Sequence, residues 1–244
     1  MDGIIEMEKV TFFAQNRRVV RDFSHRFEEG KATVLVGPSG CGKSTVLKLS
    51  SGLMVPTRGE VRFRGKNISA MNRKENLEFR REGAVVFQDS ALWANQSLYQ
   101  ILELPLRIHF PGMTRVERER RIEEVAAEVG YRKELSIRPS LLSMGEQKLI
   151  AFARAMLCRP TLLFLDEWTE SLDDRAAKRL VAIVRKKKEA GATIIFVSHN
   201  IRLMVDLADY FLMILGGQLF LKLTKEQIEG DEDLMRYIER GINA

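Results

Sequence analysis

The chain has 244 residues, 45 % apolar and 30 % charged; this suits one large α/β domain with room for an inserted subdomain and excludes wholesale disorder or two independent catalytic domains. Its formal charge of +6 is spread over mixed runs such as Arg115-Val116-Glu117-Arg118-Glu119-Arg120-Arg121, which read as solvated helix faces and give no nucleic-acid footprint, though a mild basic excess suits docking beside an anionic membrane surface. Cys41 and Cys158 are the only cysteines, too few for a disulfide framework and in keeping with a reduced, cytosolic compartment.

From the N-terminus, no basic region precedes an apolar stretch, so no secretory signal is expected. Val10-Thr11-Phe12-Phe13 and Val19-Val20-Arg21-Asp22-Phe23 read as antiparallel strands turning at Gln15-Asn16, and Gly59–Gly65 adds an alternating strand. Val34–Val36, Val85–Phe87, Leu162–Leu165 and Thr193–Val197 are continuous apolar runs, the pattern of parallel strands covered on both faces. From about Ser90 to Leu157 the reading is helical. Ile122, Val125, Ala126 and Val129 recur at i, i+3, i+4, i+7, with Gly130 as the stop. Phe211–Leu215, Gly216-Gly217 and Leu219–Leu223 read as a hairpin, and Asp233–Arg240 as a short terminal helix. The most apolar stretch, Leu207–Leu221, is too short and too interrupted to span a bilayer.

Gly37-Pro38-Ser39-Gly40-Cys41-Gly42-Lys43-Ser44-Thr45 matches G-x-x-x-x-G-K-[ST] in full, between a predicted strand and a predicted helix over Thr45–Leu49. Such a loop turns backbone amides inward onto phosphate oxygens, at the positive end of the following helix. Lys43 would neutralise the β- and γ-phosphates, and the Ser44 hydroxyl would ligate Mg²⁺. Cys41 reads as a small spacer. The strand Leu162–Leu165 ends in Asp166-Glu167, an adjacent acid pair that is costly to bury without a cation. Asp166 is placed to hold Mg²⁺, and Glu167 to orient or deprotonate an attacking water.

More specific residues lie elsewhere. Leu142-Ser143-Met144-Gly145-Glu146-Gln147, continued by Ala151–Ala155, resembles the L-S-G-G-Q signature of ABC ATPases. Gln88 looks like the family's Q-loop glutamine, Ser171-Leu172-Asp173 its D-loop and His199 its switch histidine, all in the family's order over about residues 4 to 220. The resemblance implies an α/β P-loop NTPase core with a mostly parallel sheet. It also implies an antiparallel β subdomain (about 1–33 and 59–66), an inserted helical subdomain (about 90–157) and a short C-terminal helix (about 224–244), within one domain spanning 1–244. It implies an ATPase that works with Mg²⁺ as half of a head-to-tail dimer, with a second copy or a paralogous subunit. ATP on the loop of one copy would meet Ser143, Gly145 and Glu146 of the other, with Asp173 beside the nucleotide. Gln88 would sense the γ-phosphate and Mg²⁺, and His199 would stabilise its developing charge. The helical subdomain would receive a membrane-spanning permease subunit, placing the chain on the inner face of the cell membrane.

The sequence departs from the family pattern at Met144, Glu146 and Trp168, where glycine, glutamine and proline are usual. The adenine-stacking aromatic position counts to Ala14, with Phe12 or Phe13 as substitutes. A soluble, non-transport ABC ATPase is the alternative function. Phe87–Leu92 and Leu104–Arg107 loosely resemble lipid-trafficking systems, with a small polar solute as the other cargo.

Overall fold

The computed structural model describes residues 3–231 and Leu234; the predicted helix at Asp233–Arg240 lies outside the described residues apart from Leu234. The strands are β1 (Gly3–Ala14), β2 (Arg17–Glu28), β3 (Ala32–Val36), β4 (Arg58–Phe63), β5 (Lys66–Asn67), β6 (Gly83–Val86), β7 (Leu162–Asp166), β8 (Thr193–Val197), β9 (Tyr210–Leu215) and β10 (Gln218–Thr224). The α-helices are α1 (Lys43–Ser50), α2 (Arg73–Glu82), α3 (Leu98–His109), α4 (Arg115–Val129), α5 (Met144–Met156), α6 (Asp174–Glu189), α7 (Ile201–Leu207) and α8 (Lys225–Glu229).

The strands form two sheets. One is antiparallel, in the order β2-β1-β4-β5. The other runs β10-β9-β3-β8-β7-β6 and is parallel from β9 to β6, with β10 folded back antiparallel across the Gly216-Gly217 turn. In the parallel sheet β3, β7 and β8 are buried at every residue, as unbroken apolar runs require. One apolar cluster joins one face of this sheet to α3, α4 and α5. A second packs the other face, through Leu35, Phe164, Ile195 and Leu212, against α1 and the antiparallel sheet.

The predicted stripe Ile122, Val125, Ala126 and Val129 is the buried face of α4, which ends at Gly130. The helical insert differs from expectation at its start: Ser90 to Ser97 is loop. Ser90 and Ala91 have left-handed backbones (φ 62° and 45°), and α3 begins only where Ser97 and Gln100 form a capping box. Because β3, β6, β7 and β8 are parallel and in register, their C-terminal ends lie along one edge. The phosphate loop, Gln88, the Asp166-Glu167 pair and His199 each lie at one of those ends, the position where open α/β sheets bind ligands.

Candidate nucleotide site

Between β3 and α1 the chain makes one tight curl. Gly37 has φ 145°, and a Cβ there would stand 2.2 Å from the Ile214 carbonyl oxygen; Gly42 has φ 106°, and a Cβ there would stand 2.9 Å from that of Val19. Glycine at both positions lets the loop press onto β9 and β2. Gly42 starts α1 with no side-chain cap, and no acid occupies the first turn, so the orphan amides and the positive helix end are left for an anion. Lys43, 8 % exposed, folds back over the loop and donates to the carbonyls of Gly37 (2.7 Å) and Pro38 (2.9 Å). The Ser44 hydroxyl donates to Asp166 Oδ1 at 3.0 Å.

Asp166 and Glu167 are both buried, 3 % and 7 % exposed. Burial raises the Asp166 carboxyl pKa above its usual value, against the hydrogen bond from Ser44. Burial also pushes Glu167 up to about 7; the amide of His199 opposes the shift, and Glu170 and Asp166 add to it. Glu167 accepts from the His199 N–H through Oε2 at 3.3 Å. The imidazole Nε2 stands 3.3 Å from Oε1 but out of hydrogen-bonding alignment, which leaves Oε1 without a partner. Glu167 also has a left-handed backbone (φ 44°), and its N–H is tied to the Val197 carbonyl at 3.1 Å. A carboxyl with one free oxygen, a strained backbone and a pKa raised to about 7 suits a general base. Trp168, beneath it, is fully buried edge-on to Phe196.

These groups line one cavity of about 410 Å³. Val19, Ser39, Gly40, Gly42, Lys43, Ser44, Thr45, Gln88, Glu167, Val197 and His199 form its walls. Gly37, Pro38 and Cys41 lie in the loop behind it; Cys41 is buried in the apolar core and its thiol pKa is raised by that burial. A cleft of similar size on the helical subdomain, beside Trp93, Gln100 and Arg107, has no comparable set of reactive groups, so chemistry and not volume distinguishes the site. Among the described residues no cluster of three or more His, Cys, Asp or Glu could hold a metal unaided. The hard oxygens of Ser44 and Asp166, with Gln88 across the cavity, fit Mg²⁺ only when phosphate oxygens complete its shell.

The remaining predicted residues do not join this cavity. Ser143 is exposed at the start of α5 and forms a complete capping box with Glu146. Its hydroxyl donates to Glu146 Oε2 at 3.0 Å, and Lys133 Nζ holds the other Glu146 oxygen at 2.6 Å. Met144 and Leu141 stand beside it, each 72 % exposed. Gly145 packs on the backbone of Ser171, whose oxygen would be 3.1 Å from an added Cβ, and Asp173 caps α6 by accepting from the Ala176 N–H at 2.8 Å. Neither Phe12, Phe13 nor Ala14 reaches the cavity wall; the ring of Phe13 faces the Arg18 guanidinium 5.5 Å away. Sequence reading missed Val19, Glu170, which accepts from Gln88 Nε2 at 3.1 Å, and Lys148, buried behind the cavity. A single cation in an apolar helical run was the only signal for Lys148.

Residues 20–170 match the family model described as ABC transporter. The nickel import ATP-binding protein NikE of Brucella suis is 36 % identical over 91 % of this chain and 83 % of its own. The intermembrane phospholipid transport system ATP-binding protein MlaF of Haemophilus influenzae is 31 % identical over 95 % and 88 %. A dimeric ATP-binding cassette, MJ0796, bound to ADP and Pi in a post-hydrolysis state, superposes with TM-score 0.83 at 25 % identity, covering 91 % of this chain and 98 % of that one.

Proposed function

The chain belongs to the ABC transporter ATP-binding family, and on that premise we propose that it hydrolyses ATP as one half of a head-to-tail dimer that drives a separate membrane-spanning subunit. As an ATP-binding subunit of this family it is an ATPase. The loop amides from Ser39 to Thr45 and the open end of α1 bind the β- and γ-phosphates. Lys43 exchanges two neutral carbonyl partners for phosphate oxygens. Ser44, Asp166 and Gln88, together with the phosphates, would hold Mg²⁺, which when bound would supply charge neutralisation on the transferring group. Glu167 orients the attacking water and takes its proton, while His199 stabilises the charge that develops on the γ-phosphate.

One observation carries the dimer: Lys43, Ser44, Gln88, Glu167 and His199 share one cavity, whereas Ser143 stands exposed outside it. A serine-led helix start with no ligand of its own suits the open side of a second copy's nucleotide, where Ser143, Gly145 and Glu146 would close the site and Asp173 would lie beside it. Glu167→Gln, incubated with saturating MgATP, is expected to double its mass by light scattering. A variant that stays monomeric overturns the head-to-tail arrangement.

No helix among the described residues is long and apolar enough to cross a membrane. The membrane part is therefore assigned to a permease subunit docked on the helical subdomain, with the ATPase peripheral on the inner face of the cell membrane. Cargo recognition belongs to that permease, and the relatives serve both nickel import and phospholipid transport.

A further inference from the structure

The segment from β6 into the helical insert carries Gln88 to the cavity and Trp93 to the surface. Besides local turns such as Ser90 N–H to the Phe87 carbonyl, the carbonyls of Phe87, Gln88, Ser90 and Ala91 accept from two cations of α5. Arg154 donates to the carbonyls of Ala91 (2.7 Å) and Ser90 (3.2 Å), with its guanidinium 5.6 Å from the Trp93 ring centre. Lys148 Nζ donates to the Gln88 carbonyl and, at 3.3 Å, to that of Phe87. It also reaches the backbone carbonyl of Glu167 at 3.5 Å. Lys148 is 3 % exposed. Its hydrogen bonds all go to backbone carbonyls, and it forms no ion pair among the described residues. Burial lowers its pKa, while Glu170, Asp166, Asp89 and Glu167 favour its charged form. An ammonium in such surroundings is expensive, and an apolar side chain would pack there at less cost.

We propose that Lys148 is a positioning residue for hydrolysis: its ammonium pins the backbones of Gln88 and Glu167 to the signature helix α5. The two side chains that face the nucleotide then keep their spacing when a second copy engages that helix. Lys148 does not line the cavity, so its removal costs no contact with ATP; the loss falls on geometry at the reacting group, where small misplacements are costly. This inference rests on the ATPase reading above.

The test uses the full chain. Lys148→Met keeps the stem and removes the donors. It should lower single-turnover kcat at least about tenfold, while the Kd for ATP measured in EDTA changes less than about twofold. Amide exchange should speed up in 87–91 and at Glu167 and stay unchanged in α1. Lys148→Arg, which keeps charge and donors, should recover most of kcat. An unchanged kcat per folded molecule, or unchanged exchange in 87–91, overturns the proposal. Should the Met variant fail to fold, Lys148→Gln replaces it: intermediate kcat with faster exchange supports the inference, and wild-type values of both overturn it. A wild-type chain that binds no ATP would defeat the ATPase reading itself, an outcome separate from any of these.

Discussion

Two helices of this chain begin in opposite ways. At α1 the N-cap is Gly42, and no side chain caps the helix. At α5 the N-cap is Ser143, with Glu146 completing a capping box and Lys133 completing the charge. The other described α-helices resemble α5: Asn72, Ser97, Thr114, Asp173, Asn200 and Thr224 each cap their helix with a side chain. With glycine as N-cap, α1 gives up only a few tenths of a kcal/mol relative to a side-chain cap while leaving its first turn open to an anion. The serine of α5 is satisfied within its own chain and must release Glu146 before its hydroxyl can serve a phosphate. On the proposed function, one helix start is open to nucleotide from the outset, and the other would become so only on engagement by a second copy.

Lys43→Ala strikes the open end and has the largest expected effect: ATP affinity should fall by roughly a hundredfold or more, since the charge facing the β- and γ-phosphates is gone. Equilibrium binding in EDTA checks this, and an unchanged Kd would remove the phosphate loop from the account.

Glu167 faces that same open end, and its proton links stability to pH. Its folded pKa of about 7 lies above the ordinary glutamate value of 4.5. The unfolded chain therefore releases this proton first, and the native state loses stability as pH rises from about 4.5 to about 7. Glu167→Gln has no such loss. Contact with solvent at the cavity reduces the cost of the buried charge to about 1–2 kcal/mol. The variant should melt about 3–6 °C higher than wild type at pH 8, with the gap closing towards pH 4.5. Equal melting curves at pH 8 would mean that Glu167 is not buried as described.

Glu146→Gln sharpens the other side of the contrast. It keeps a capping side chain but frees Ser143 from a carboxylate and leaves Lys133 facing the site. The ATP concentration for half-maximal dimerisation of a Glu167→Gln background should fall roughly two- to fivefold, about 0.4–1 kcal/mol, with little change in melting temperature. A rise would mean that the ion pair, not the serine, assists closure.

Much of the parallel sheet was legible because strands buried on both faces need unbroken apolar runs, as Leu162–Leu165 and Thr193–Val197 show. The phosphate loop was legible because its chemistry is contiguous: nine neighbouring residues supply amides, cation and hydroxyl. The loop over Ser90–Ser97 read as helical because its apolar Leu92 and Trp93 mimic a helix face, and the capping box that delays α3 was not weighed against them.

Local order alone was enough to locate a glycine-rich curl, an acid pair and a serine-led helix, since each rests on short-range backbone geometry. Only the tertiary structure decided that Val19 enters the cavity wall, that Glu167 keeps one oxygen free with its pKa raised to about 7, and that Lys148 reaches the segments just beyond β6 and β7. Those properties come from burial and from parallel strands ending at a common edge, where residues far apart in the chain share one low-dielectric space.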